Sequence, residues 1–575
     1  MKKIFFAVII FIFVIYFNSY SQNWYTFAGN NQKNGVTKMT GPISVSTPFW
    51  SVNSTNYTAW GNAVYTFGDK FVTSRVILSP YKGIIELRNL FNGELIWQKT
   101  VSDSARMYAV GFTEDAVYAH DYKDMKLYAL NISDGSVKWW ISADMFPGNT
   151  GICFAPDGDP IIFQKRLDRK TGVPKWTNNY IIPVSPDGGY VVYGNTYYHW
   201  TGSITTPKKL IAIDINTGLT KYMSDALPGD GDQENDLVVG PDGTIYIARD
   251  GGSLHAFIDN GTGFTQKWTL TPAVLVKSFG PNNILYCANV NNGISSGKLM
   301  RVNGLNGQVI DSVNTLAGYV TVDYDSTIYV NTVEAANGRY FAFTPDLQTI
   351  KWQLNIPYIY YSGCPIGKEG IFITIGSGYQ ITAYKPNINR KPVADFRVSS
   401  RDIFAGDSVN FYDQSSYSPT SWEWTFTGAT PSSSQAQNPT GIKYLNSGIY
   451  EVKLVAANLL GSDTLIKTSY IFVTQSSGIN NNETQLTYKL YQNYPNPFNP
   501  NTEIAYDLYR NSFVTLEVFD ITGKVIKTLV NEFQTSGNYK YTFNGNEIPS
   551  GIYFYRLIIN NGNDFNEVKK MILLK

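Results

Sequence analysis

The chain has 575 residues, enough for about three to five domains, and it carries 46 Lys+Arg against 45 Asp+Glu with only 16% charged residues. That balance argues against a basic nucleic-acid binder, and an aromatic content of 15% favours strands over helical bundles. Three His and three Cys leave little material for a His-rich metal centre, a zinc finger or a disulfide framework.

At the N-terminus Lys2 and Lys3 precede an apolar run over 4–17, followed by Asn18-Ser19-Tyr20-Ser21-Gln22. These are the three regions of a secretory signal peptide. The run of 14 residues is short of the roughly 20 needed to span a bilayer. Ser19 and Ser21 supply small residues at −3 and −1 of a cleavage between Ser21 and Gln22, so residues 1–21 are predicted to be removed. No second stretch approaches membrane length, which predicts no transmembrane segment in the mature chain. The cleavage point carries no Cys, which argues against a lipid-modified N-terminus.

Residues 22–386 repeat themselves. A small or apolar strand, a turn with Gly, then Trp recurs as Ile85-Glu86-Leu87 to Gly93 to Trp97, Leu127-Tyr128-Ala129-Leu130 to Gly135 to Trp139, and Leu210-Ile211-Ala212-Ile213-Asp214 to Gly218 to Tyr222. Turn-then-strand signatures such as Pro241-Asp242-Gly243-Thr244-Ile245-Tyr246 precede most copies. The Trp-type positions 97, 139, 176, 222, 268, 311 and 352 are spaced by 42, 37, 46, 46, 43 and 41 residues, close to the roughly 40–50 of a four-stranded propeller blade. Seven copies are then visible. The stretch from Ile371 to Tyr384 lacks a following Trp, and Pro48-Phe49-Trp50-Ser51-Val52 lacks a blade before it. Joined, they make an eighth blade, and pairing the two ends hides sheet edges and ties the ring shut.

This pattern resembles the pyrroloquinoline-quinone-type propeller repeat of quinoprotein dehydrogenases and of the lipoprotein of the outer-membrane barrel-assembly machinery. The lead-in from Trp24 to Gly35 is similar to the segment before such propellers. The resemblance implies that the repeated Trp packs blade on blade. For a dehydrogenase it would also imply an axial cofactor pocket, Ca²⁺, a catalytic Asp and often two adjacent cysteines. Cys153, Cys287 and Cys364 fall in different repeats and read as buried free thiols. Gly293-Ile294-Ser295-Ser296-Gly297 fits a nucleophile elbow in letters only, because it lies in an Asn- and Gly-rich turn. His120, His199 and His255 fall in separate blades, so no catalytic residue is predicted and no cofactor is expected.

Two features suggest a ligand face. The segment from Asp225 to Asp236 brings Asp230, Asp232, Glu234 and Asp236 together with Gly, the oxygen-rich setting that could hold Ca²⁺, although it lacks the bidentate Glu of a regular calcium loop. The stretch Asn195-Thr196-Tyr197-Tyr198-His199-Trp200 reads as a loop on the same propeller face, with Tyr197, Tyr198 and Trp200 exposed as a sugar or peptide platform.

Past a Pro-bracketed linker at 385–392, residues 392–474 show short alternating strands at the spacing of an immunoglobulin-like sandwich. Pro392-Val393-Ala394-Asp395-Phe396, Trp422-Glu423-Trp424-Thr425-Phe426 and Gly448-Ile449-Tyr450-Glu451-Val452 resemble the polycystic-kidney-disease (PKD) domain, which implies a spacer or adhesive module. Its usual Phe-Gly-Asp-Gly turn is Phe426-Thr427-Gly428-Ala429 here. Residues 475–487 read as a second linker.

Residues 488–575 carry Tyr494-Pro495-Asn496-Pro497-Phe498-Asn499-Pro500, Leu516-Glu517-Val518-Phe519-Asp520-Ile521-Thr522-Gly523, Pro549-Ser550-Gly551-Ile552-Tyr553 and a terminal Lys569-Lys570-Met571-Ile572-Leu573-Leu574-Lys575. In that order they resemble the type A sorting domain of the type IX secretion system. The resemblance implies export by that machinery and a final place outside the cell or attached to the outer-membrane surface of a Bacteroidota-type bacterium.

The sequence therefore predicts an all-β protein, an eight-bladed β-propeller followed by two immunoglobulin-like β-sandwich domains. It reads as a non-enzymatic binding or adhesion protein for an extracellular polysaccharide or protein, with no nucleic-acid partner. The alternative is a secreted propeller enzyme, either a quinoprotein-like oxidoreductase or a glycan-active one.

Overall fold

The computed structural model describes residues 23, 26, 29–53, 57–58, 64–78, 81–101, 107–143, 151–179, 189–201, 209–229, 237–249, 252–289, 297–332, 338–356, 363–375, 380–475, 488–508, 512–534, 537–559 and 565–575. The chain divides into two compact units, with the break before the C-terminal sandwich at Thr474.

Eight antiparallel sheets follow one another from Trp50 to Tyr384 among the described residues. Six have four strands in simple chain order. Blade four, for example, runs Val191–Tyr193, Thr196–Thr201, Lys209–Asp214 and Thr220–Met223. The eighth pairs Phe372–Ile375 with Gln380–Tyr384 and then with Trp50–Asn53 from the opposite end of the domain, in the register Trp50 to Ala383. The ring closes by joining its two ends, as the split repeat predicts.

The Trp-Gly pattern has a physical cause that crosses blades. Four of these Trp end on the turn between the third and fourth strands of the following blade. The indole Nε1 of Trp50 donates to the Leu90 carbonyl at 2.9 Å, Trp97 to Ile132 at 2.8 Å, Trp176 to Ile215 at 2.8 Å and Trp268 to Gly304 at 2.9 Å. Gly93, Gly135, Gly218 and Gly307 sit over these rings at φ between 71° and 76°, and a Cβ on any of them would come within 2.9 Å of the indole. Gly is therefore required twice, by the left-handed turn and by the ring. In blade six the Trp position is Asp311, whose carboxylate pairs with Arg301 on the neighbouring strand, Nε to Oδ1 2.8 Å.

The first sandwich builds its core on Phe396, Phe411, Trp424, Phe426 and Tyr470. Phe411 and Phe426 lie 4.7 Å apart, and Trp424 Nε1 donates to the Ala436 carbonyl at 2.9 Å. Its Asp402–Phe404 strand runs parallel to Phe472–Thr474. The C-terminal sandwich faces a three-stranded sheet, Lys489–Leu490, Asn501–Leu508 and Gly537–Asn544, with a four-stranded one, Ser512–Phe519, Val525–Gln534, Gly551–Ile559 and Phe565–Leu573. No described helix is long and apolar enough to cross a membrane.

Candidate functional site: the propeller axis and its cap

The innermost strands of a propeller leave backbone N–H and C=O groups facing the axis, and these need partners. Here the lead-in segment supplies them, blade by blade. The Asn31 side chain donates to the Phe154 carbonyl and accepts from the Phe154 N–H in blade three. In blades four and five, Val192 N–H donates to Asn31 O at 2.9 Å and Val239 N–H to Gln32 O at 3.0 Å. Ser278 Oγ of blade six donates to Gly35 O at 3.0 Å. In blade seven Val322 N–H bonds Gly35 O at 2.8 Å, and Thr37 N–H donates to Val322 O at 3.1 Å. Gly35 has φ +64°, and a Cβ there would lie 2.4 Å from the Val320 carbonyl.

All these contacts fall where the innermost strands run into the turn to their second strands, so the segment closes the axis at that end of the ring. Lys33 and Asn34 are fully buried in it. The Lys33 ammonium lies 4.0 Å over the Tyr190 ring, which stacks on His199 at 5.7 Å and 2°. Burial, reinforced by the Lys33 charge, lowers the His199 pKa to about 4. Burial also pushes the Cys153 thiol up to about 11, and all three cysteines are free and buried.

The same segment repairs the seam of the ring. The eighth blade has no turn between its third and fourth strands, because those strands come from opposite ends of the domain. Trp352 of blade seven donates instead to the Pro42 carbonyl at 2.8 Å. Gly41 N–H donates to the Asp323 carboxylate at 3.0 Å, which also accepts from Tyr329. Burial raises the Asp323 pKa to about 6.

The PKD-like sandwich covers this end. Arg401 spans three partners, Asp115 Oδ2 at 3.0 Å, Glu114 Oε1 at 3.4 Å and the Asp157 carbonyl at 2.9 Å, all in turns of blades two and three. Tyr470 donates to Glu114 at 2.8 Å. Thr40 N–H donates to Tyr417 Oη at 3.1 Å, Tyr417 N–H to Glu369 Oε1 at 2.8 Å, and Lys38 meets Asp463 at 3.5 Å. Asn23 bridges the Gly68 N–H and the Asp395 carboxylate. The stretch at 385–392 is correspondingly no free linker, since Pro386 and Pro392 are buried and Arg390 lies 3.9 Å over the Tyr324 ring. The expected spacer is a fixed cap. Arg401 and Tyr470 carried no local signal in the sequence, because their partners lie more than 240 residues away.

The aromatic platform is corrected. Tyr197, Tyr198 and Trp200 lie in the second strand of blade four, not a loop, and are at most 3% exposed. Tyr197 donates to the Phe163 carbonyl of blade three, and Tyr198 to Asp259 of blade five. Neighbouring blades cover both sides of this strand, so neither side meets solvent. Asp230, Asp232, Glu234 and Asp236 lie outside the described residues, as do Ser21, Gln22 and residues 290–296 of the elbow-like stretch. At the root of the acidic segment, buried Arg249 donates to the Gly229 carbonyl at 2.5 Å. Among the described residues no group of three His, Cys, Asp or Glu could hold a metal.

A quinone carried on the propeller axis would have to share it with residues 31–37. At that end of the ring residues 31–37 already bond the innermost strands of blades three to seven.

The fold defines a propeller protein with two accessory sandwiches, and the family matches assign both sandwiches. Residues 492–574 match the model of the secretion system C-terminal sorting domain, and residues 395–471 match the PKD domain. The protein is thus a substrate of the type IX secretion machinery, placed outside the cell or on its surface. Its chain is 25% identical over 300 residues to outer membrane protein assembly factor BamB of Yersinia pestis, covering 47% of this chain and 69% of that protein. Solved structures with related architecture include a europium-containing methanol dehydrogenase, 11% identical with a TM-score of 0.41 over 65% of this chain and 89% of the other. Another is BamB from Moraxella catarrhalis, 16% identical with a TM-score of 0.32 over 59% and 100%.

Proposed function

We propose that the protein is a non-enzymatic binding or adhesion protein, and that its propeller takes an extracellular polysaccharide or protein on the face opposite the PKD cap. The observation that carries this reading is the closed axial end, where residues 29–41 and the PKD domain together occupy one side of the ring. Ligand access is left to the other side, where second strands turn into third strands and each blade passes to the next. Lys126, Lys209, Lys298 and Arg339 each begin a third strand there, one in each of four blades. Asp230, Asp232, Glu234 and Asp236, outside the described residues, fall in the sequence between the last strand of blade four and the first strand of blade five. Ca²⁺ at those carboxylates is the one metal the reading accommodates.

The test is an array of extracellular polysaccharides and surface proteins probed with the full mature chain. A ligand should be found whose binding falls at least tenfold in the Lys209→Glu/Lys298→Glu/Arg339→Glu variant and is unchanged by Glu423→Lys/Lys453→Glu on the PKD domain. Binding that maps to the PKD domain would overturn the assignment. A bound quinone in the absorbance spectrum of the purified protein would return the enzyme reading, and calorimetry with Ca²⁺ on the parent and on Asp230→Asn/Asp232→Asn tests the cation.

A further inference from the structure

The two outer faces of the C-terminal sandwich differ in kind. In the three-stranded sheet, Ile504, Tyr506, Leu508 and Phe543 turn into the core. Alternation then leaves Asn501, Glu503, Asn538, Lys540, Thr542 and Asn544 outward, all polar and exposed, with Lys540 paired to Glu503 at 2.8 Å. The four-stranded sheet buries Leu516, Val518, Tyr553, Tyr555, Leu557 and Met571. The same alternation sends Phe519, Ile552, Phe554, Ile558, Val568 and Ile572 to the outside.

Register makes these side chains one surface. Phe519 lies opposite Phe554 with the rings stacked at 5.8 Å and 19°, and Ile552 lies opposite Ile572. Val568 lies opposite Arg556, which pairs with Glu517 at 2.9 Å. Ile552 and Val568 are 46% and 48% exposed, and Lys570, opposite Phe554, is exposed beside them. An apolar cluster of Phe519, Phe554, Ile552 and Ile572 on one sheet face, bordered by Lys570 and by the Arg556–Glu517 pair, marks a surface built to be covered by another protein.

The end of the adjoining sheet edge is already taken. Phe498 N–H donates to Ile572 O at 2.9 Å, Leu574 N–H to Phe498 O at 3.0 Å, and Ile572 N–H to Asn496 Oδ1 at 2.9 Å. The Tyr-Pro-Asn-Pro-Phe segment thus lies along the end of the last strand, where it blocks strand addition. A partner at this end of the strand therefore meets the face rather than a free strand edge.

We infer that the secretion machinery reads the sorting domain on the Phe519, Phe554, Ile552, Ile572 and Val568 face, through a protein surface that is apolar at its centre and acidic where it meets Lys570. The family match says that a secretion system reads this domain, and the polarity of its two faces says where.

The experiment expresses the full-length protein in a bacterium that has this secretion system and measures the exported fraction by immunoblot. Ile552→Thr/Val568→Thr and Phe554→Lys should each lower that fraction at least tenfold, whereas Thr542→Lys/Asn544→Lys on the polar face should leave it unchanged. The Thr pair keeps the β-branched shape at exposed strand positions, so it decides the matter if Phe554→Lys does not fold. Full export of the Thr pair, or loss of export only in the polar-face variant, would overturn the inference.

Discussion

The two sandwiches are alike in size and opposite in what they do with their surfaces. The PKD domain turns charged and polar side chains onto the propeller, burying Arg401, Tyr470 and Tyr417 and half-burying Asp463 there. The sorting domain keeps a sheet face of Phe519, Phe554, Ile552 and Val568 partly open. A domain that completes its neighbour satisfies its polar groups inward. A domain that is read by a transient partner leaves apolar area to be covered. The contrast also reassigns roles within the chain, since the PKD domain belongs with the propeller and the sorting domain with the export machinery.

The contrast can be broken at its strongest point first. Arg401→Ala leaves Glu114 and Asp115 without their cation in a largely buried site and should cost about 4 kcal/mol in urea unfolding, whereas Arg556→Ala in the sorting domain, whose pair is partly exposed, should cost under about 1 kcal/mol. Gly35→Ala tests the segment under the cap. A Cβ at φ +64° against the Val320 carbonyl should cost about 3 kcal/mol, and equal stability would mean that residues 31–37 are not seated on the axis.

Acid should act on the capped unit with a defined sign. His199 has a folded pKa of about 4 against an ordinary value near 6.5, because burial disfavours its charged form. The unfolded chain therefore takes up the proton first as pH falls. The stability this His contributes is fully present above pH 6.5 and is lost between pH 6.5 and 4, to the extent of about 3 kcal/mol. His199→Gln should flatten the pH dependence of unfolding in that window. Smaller again, Trp352→Phe removes the indole donor to Pro42 and should cost about 1–2 kcal/mol.

How far the sequence carried these results depends on whether the partners were near in the chain. The repeat was legible because every blade restates its own strands: the Trp spacing gave seven blades, and the Trp-less stretch at 371–384 joined to the orphan Trp50 strand gave the eighth and the split closure. What the Gly-Trp pairs do was not legible, because each Gly packs on the Trp of the blade before its own. The stretch Tyr197-Tyr198-His199-Trp200 misled for a related reason. Inner strands of a blade are covered on both sides, so they lack the polar alternation that marks a strand with one solvated side. The lead-in was visible as a motif, but its route across five blades depends on partners as far off as Val322 is from Gly35.

The central claim is that residues 29–41 are a permanent part of the propeller, which directs ligands to the opposite face. Hydrogen–deuterium exchange on the full mature chain tests it most directly. The account predicts that the amides of Lys33, Thr37 and Gly41 are as protected as those of the innermost strands, lose protection together in Arg401→Ala, and do not change when the array-identified ligand binds. Exchange at the rate of a free terminus, with protection appearing only on ligand binding, would contradict it.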